Sequence, residues 1–86
     1  MVTKMTMMNN PTGLHARPAA QLISFVKQFD CKVLIKNGDK TANASSIINL
    51  LTLGAVEGTS LEVICDGADE AKAAEEVATY IANIKD

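Results

Sequence analysis

The chain is poor in the residues on which many binding functions are built. It has no tryptophan, and two phenylalanines and one tyrosine bring the aromatic share to only 3%. Val, Ile, Leu, Met and Ala must therefore fill the core. No apolar run reaches the roughly 18 residues of a membrane span, and no charged-then-apolar leader opens the chain, so neither insertion nor export is expected. Basic residues are not in excess: 8 Lys and Arg stand against 10 Asp and Glu, a formal net charge of −2. That balance argues against bulk nucleic-acid binding, which needs a surface able to neutralise phosphates, and gives no reason to expect a peripheral membrane protein. The two cysteines, Cys31 and Cys65, have no metal-ligand spacing to each other or to a histidine. They read as buried free thiols of a reducing cytoplasm.

What remains is 48% hydrophobic and 21% charged over 86 residues, a globular composition. Half of such a chain could not bury a core, so residues 1–86 are expected to form one domain. Met1 to Met8 suggests a strand of uncertain register, and Asn9 to Gly13 a polar loop with strong turn chemistry. A helix follows from about Ala16 to Phe29. Cys31, Val33 and Ile35 then alternate with Lys32, Leu34 and Lys36, giving a strand with one clearly apolar face. Asn37-Gly38 signals a hairpin, and Lys40 to Ala44 returns as a short edge strand. Ser46 to Leu53 reads as a short helix, capped by serine and stopped by Gly54. Ser60 to Cys65 is a further strand. Gly67-Ala68-Asp69-Glu70 opens the last helix, with acids in its first turn, Lys85 in its last, and Ala74, Val77, Ile81 and Ile84 as the buried stripe. The order β-α-β-β-α-β-α implies a two-layer α+β sandwich with the helices on one sheet face.

The single histidine and the single arginine lie two residues apart, in Gly13-Leu14-His15-Ala16-Arg17-Pro18-Ala19-Ala20. Gly13 permits a tight turn, and Pro18 fits a first helical turn, where a missing N–H breaks no internal bond. Ala19, Leu22, Ile23 and Val26 then recur at helical spacing. An imidazole and a guanidinium thus stand at the positive end of a helix dipole, beside N–H groups that lack internal partners. Such a place favours an anion, phosphate above all. A histidine there can also be a nucleophile, since its neutral form is well populated near pH 7. The competing reading is a surface histidine that does no more than cap the helix.

The short helix is more apolar than one buried stripe requires. At about 100° per residue, Ile47, Ile48, Leu50, Leu51 and Leu53 spread over about 220°. If Leu50 and Leu53 face the sheet, then Ile47, Ile48 and Leu51 form an exposed apolar patch, a common mark of a partner surface. Ser46 before them is a helix cap or a phosphorylation site, because a phosphate at a helix start meets a favourable dipole and N–H donors. By local chemistry alone, Ser45 and Ser46 are nearly interchangeable.

The Gly13–Ala19 block, together with Ser46-Ile47-Ile48 through Leu53-Gly54 and the following Gly58, resembles the HPr family. These are histidine phosphocarriers of the bacterial phosphoenolpyruvate-dependent sugar phosphotransferase system, and the likeness covers essentially the whole chain. The resemblance implies an open-faced sandwich whose four-stranded antiparallel sheet has the order 1-4-2-3. It implies a general phosphocarrier, not an enzyme: His15 accepts phosphoryl on Nδ1 from enzyme I and passes it to enzyme IIA domains, with Arg17 steadying the charge. It also implies regulatory phosphorylation of Ser46 by HPr kinase/phosphorylase, with the modified form serving a catabolite-control transcription factor. Here Ser45 stands where a lysine usually precedes that serine, and Asn49 replaces a glycine or lysine. Ala20, Lys27, Ile47, Ile48 and Leu51 are the expected docking residues of a cytoplasmic monomer that needs no metal or cofactor of its own. Handover between proteins requires an exposed His15. Two rival readings are a carrier in a nitrogen-related phosphorelay and a Ser46-dependent corepressor-type interaction protein that dispenses with the histidine.

Overall fold

A computed structural model describes residues 1–85. Seven elements follow one another: β1 (Val2–Met7), α1 (Ala16–Val26), β2 (Cys31–Asn37), β3 (Lys40–Asn43), α2 (Ile47–Leu51), β4 (Ser60–Gly67) and α3 (Glu70–Ala82). The sheet has the order β1-β4-β2-β3 with every neighbouring pair antiparallel. Three helices and four antiparallel strands in this arrangement make the open-faced α+β sandwich that the sequence pattern implies.

Alternation in the strands decides which face is covered. Val33 and Ile35 of β2, Ala42 of β3, and Leu61, Val63 and Cys65 of β4 are all buried, while their neighbours in sequence are more exposed. The pairings Val33↔Cys65 and Ile35↔Val63 put these side chains in one layer. Leu22 and Val26 of α1, Leu50 of α2, and Val77 and Ile81 of α3 close over it. Each such fully buried aliphatic side chain contributes about 1.5–3 kcal/mol relative to an exposed one. Phe25 stacks on Tyr80 at a ring-centroid distance of 4.4 Å, joining α1 to α3.

The register of β1, open at the sequence level, is set by its even-numbered residues. Lys4 pairs with Glu75 at 3.0 Å, and the Thr6 hydroxyl donates to the Ala78 carbonyl at 2.7 Å, so that side of β1 lies against α3. Met5 and Met7 point away and are exposed.

Helix ends differ from the spacing-based expectation. α1 stops at Val26 and not Phe29, because its last turn tightens: the Phe29 N–H bonds to the Val26 carbonyl at 3.2 Å, and Phe29 tucks into the core. α3 stops at Ala82, with its last carbonyls bonded by the Asn83 N–H. Lys85 therefore lies beyond the helix instead of in its last turn, and Ile84 is half-buried past the helical stripe. β3 ends one residue before Ala44, and β4 runs two residues past Cys65.

Cys31, half-buried and not buried as expected, and the buried Cys65 are free thiols on adjacent strands, diagonal neighbours because Cys31 is opposite Gly67 and Cys65 opposite Val33. Burial, helped by the neighbouring Cys31 sulfur, pushes the Cys65 thiol up to about 12. A thiol that scarcely ionises is a poor nucleophile and metal ligand. Among the described residues no group of three or more His, Cys, Asp or Glu side chains could hold a metal ion, and no helix is long and apolar enough to cross a membrane.

Candidate phosphoryl-transfer site

The loop before α1 is built to a fixed shape. Gly13 has φ +68°, a left-handed value that a side chain would strain. Its N–H returns to the Asn10 carbonyl at 3.2 Å, and the Leu14 N–H donates to the Ala55 carbonyl at 3.0 Å. Leu14 is buried and anchors the turn in the core. The chain then delivers His15 as the N-cap of α1, in extended conformation (φ −107°, ψ −170°), with its carbonyl accepting from the Ala19 N–H at 3.0 Å.

The imidazole does not serve as a cap, since it makes no side-chain bond to the helix start. The plain capping role is thus absent, and another account of this side chain is needed. His15 is half-buried, not fully open as handover would suggest. Its two nitrogens are unequal: Nε2 is buried and has no hydrogen-bond partner. Nε2 is thereby closed off from groups on another protein. Directly after His15, the first turn of α1 begins with the Ala16 and Arg17 N–H groups, which have no carbonyl four residues back inside the helix. Pro18, buried, removes the third such donor without breaking a bond. Arg17 is exposed on this turn and lines an open groove with Gln21, Phe25 and Tyr80. The groove lined by Arg17 does not include His15; what stands next to His15 in the chain is a helix start, whose N–H groups and dipole favour an anion.

Beyond this turn, Ala16, Ala20 and Lys27 fall within about 40° of one another at about 100° per residue, and all three are exposed. α2 packs beside α1. On it Leu50 is buried along with the following Leu53, whereas Ile48 is 70% exposed, Leu51 43% and Ile47 38%. The apolar patch predicted from the over-wide arc is present. Val56 is exposed too, in the loop whose backbone touches Gly13, and the sequence reading did not include it.

Ser46 is the cap expected from the sequence, and Ser45, nearly interchangeable with it by local chemistry, takes a different partner. The Ser46 oxygen accepts from the Asn49 N–H at 3.4 Å as the cap of α2. The Ser45 hydroxyl instead donates to the Asn43 side-chain carbonyl at 2.6 Å. Asn49 also accepts from the Asn43 N–H at 3.3 Å, tying α2 to β3.

The chain is similar to known proteins over most of its length. Residues 2–83 match the family model described as "PTS HPr component phosphorylation site". The phosphocarrier protein HPr of Haemophilus influenzae is 38% identical over 73 residues, covering 85% of this chain and 86% of that one. The HPr-like protein Crh of Bacillus subtilis is 39% identical over 70 residues, covering 81% and 82%. The crystal structure of a phosphocarrier protein HPr from Bacillus anthracis superposes with a TM-score of 0.86 at 32% identity, covering 92% and 94%.

Proposed function

The chain belongs to the HPr family of phosphocarrier proteins, and from that premise we propose that it carries a phosphoryl group on His15 Nδ1, from enzyme I to enzyme IIA domains. The observation that carries this reading is the asymmetry of the imidazole. With Nε2 inside, the tautomer protonated on Nε2 leaves its lone pair on Nδ1, the nitrogen left to meet a partner.

In the forward step that lone pair attacks the phosphorus held on enzyme I. The bond from phosphorus to the donor atom breaks as the new N–P bond forms, and its electron pair returns to the donor. The Ala16 and Arg17 N–H groups and the Arg17 guanidinium spread the charge on the moving phosphoryl oxygens. Delivery to a IIA domain reverses the roles, with His15 as the leaving group, a better one while Nε2 holds its proton. The residues stabilise the group without caging it, which suits a carrier more than a hydrolase. Phosphocarriers of this family are phosphorylated intermediates, not independent catalysts.

In this reading Ala20, Lys27, Ile47, Ile48 and Leu51 dock each partner in turn. Ser46 is a regulatory phosphoacceptor for an HPr kinase/phosphorylase, its phosphate gaining the first-turn N–H groups of α2 and adding a charge of about −1.5 to −2 beside the patch. The phosphorylated form then presents that charge, with Ile47 and Ile48, to a catabolite-control transcription factor.

Incubation with enzyme I and labelled phosphoenolpyruvate tests the assignment. One acid-labile, base-stable phosphoryl group per chain is expected, absent in His15→Ala. Arg17→Ala should keep the fold and slow transfer by roughly 10²-fold, the loss typical of removing one electrostatic donor. Undiminished labelling of His15→Ala would refute the reading.

A further inference from the structure

Resting on His15 as the phosphoryl acceptor, we propose that Asn10 is a positioning residue for phosphoryl transfer, its side-chain amide setting the angle at which the imidazole is offered. Asn10 is 2% exposed, the one polar side chain among the buried residues described. Burying an amide is costly unless its hydrogen bonds are remade inside. The turn itself does not call for one: the left-handed glycine and the bond from the Gly13 N–H to the Asn10 carbonyl use backbone alone. The amide adds a separate constraint. Asn10 Nδ2 donates to the Gly13 carbonyl at 2.7 Å and to Thr12 Oγ1 at 3.3 Å.

The Gly13 carbonyl and the Leu14 N–H belong to the same peptide plane. One edge of that plane is held by Asn10 and the other by the Ala55 carbonyl at 3.0 Å. A single residue, the buried Leu14, separates it from His15. The imidazole makes no bond to the start of α1, and its Nε2 has no partner. Its direction is therefore inherited from packing and from the backbone that precedes it. In-line displacement is sensitive to such direction, since a misplacement of about 1 Å can cost roughly 10²-fold in rate. Asn10 touches neither the phosphoryl group nor the reacting nitrogen. It acts through the Gly13–Leu14 peptide.

The test compares Asn10→Asp, which keeps the shape but cannot donate to the Gly13 carbonyl when ionised, with Asn10→Ala and with Val77→Ala. The last is a core truncation away from the loop that controls for lost stability. Urea unfolding, the His15 ring resonances of the unphosphorylated protein and steady-state transfer from enzyme I are measured for each. Both Asn10 variants should lower kcat about tenfold or more with KM within twofold, and should move the His15 ring resonances. Val77→Ala should do neither. A kcat within twofold of wild type in the Asn10 variants, or an equal fall in Val77→Ala at matched stability, overturns the proposal. A wild type that takes up no phosphoryl group overturns the carrier reading instead. The ring resonances would then still decide whether Asn10 orients His15, and unmoved resonances would refute it.

Discussion

Gly13 passes so close to Ala55 that a Cβ on it would lie 2.5 Å from the Ala55 carbonyl oxygen and 2.9 Å from the Val56 Cα. The histidine loop and the loop after α2 are thus in direct backbone contact, and Leu14 bonds to the same oxygen. His15 and one edge of the apolar patch are held by a single junction. Gly13→Ala should break it, for both the positive φ and the backbone clash oppose a side chain. The strained backbone alone should cost about 1–3 kcal/mol, read as a lower urea midpoint. An unchanged midpoint would show that the junction yields easily.

Ile48 and Leu50 stand two residues apart on α2 with opposite exposures, 70% and 0%. Leu50→Ala should cost about 2–5 kcal/mol of stability. Ile48→Ala should change stability by no more than about 0.5 kcal/mol while raising KM with a partner enzyme about fivefold or more, the consequence of losing roughly 1 kcal/mol of docking energy. Titration of each variant against enzyme I, with parallel unfolding curves, separates the two. An Ile48→Ala protein with unaltered KM for enzyme I and for IIA domains would remove α2 from the docking surface.

At the opposite end of the sheet, the Met1 ammonium donates to Glu70 at 2.9 Å, and the Gly67 N–H donates to the other oxygen of the same carboxylate at 3.1 Å. These two bonds, the ammonium first, hold Glu70 below its ordinary value, and the bond to Glu70 raises the ammonium above its own. A depressed carboxylate contributes stability that is present above its unfolded pKa and lost as pH falls through the folded one. A raised ammonium contributes stability that is present below its unfolded pKa and lost as pH rises through the folded one. The pair should therefore help most between the two unfolded values, 4.5 and 8.0. Both groups are solvent-facing, so the effect is small and screened by salt. Glu70→Gln should flatten the pH dependence of Tm at both ends of this window at low ionic strength. An identical pH profile in wild type and variant would contradict the coupling.

What could be read from the sequence was local chemistry and periodicity. His15, Arg17 and Pro18 stand out because a helix start needs particular residues within a few positions, and the α2 patch follows from an arc too wide for one buried stripe. Asn10 was not legible. It sits in a run of polar turn residues, and only closure of the loop around Ala55, far away in sequence, shows that it is buried. Ser46 was legible as the cap of α2 from its place before Ile47, although local chemistry leaves Ser45 nearly interchangeable, and it is the side-chain partners that separate the two. The ends of α1 and α3 fall short of the periodic pattern because both finish in a tighter turn, with Phe29 bonding back to Val26 and Ile84 to Ile81. The inequality of the two His15 nitrogens depends wholly on packing, which no spacing rule reports.

The nitrogen that carries phosphorus is the most direct test of the account. The protein, labelled with 15N in its histidine ring, is phosphorylated by enzyme I and phosphoenolpyruvate and observed by 15N and 31P NMR before the adduct decays. A phosphorus coupling and the large 15N shift should fall on Nδ1, leaving Nε2 as the pyrrole-type or protonated nitrogen. Phosphorus on Nε2, or on a residue other than His15, would contradict the reading that the burial of one ring nitrogen selects the other for transfer.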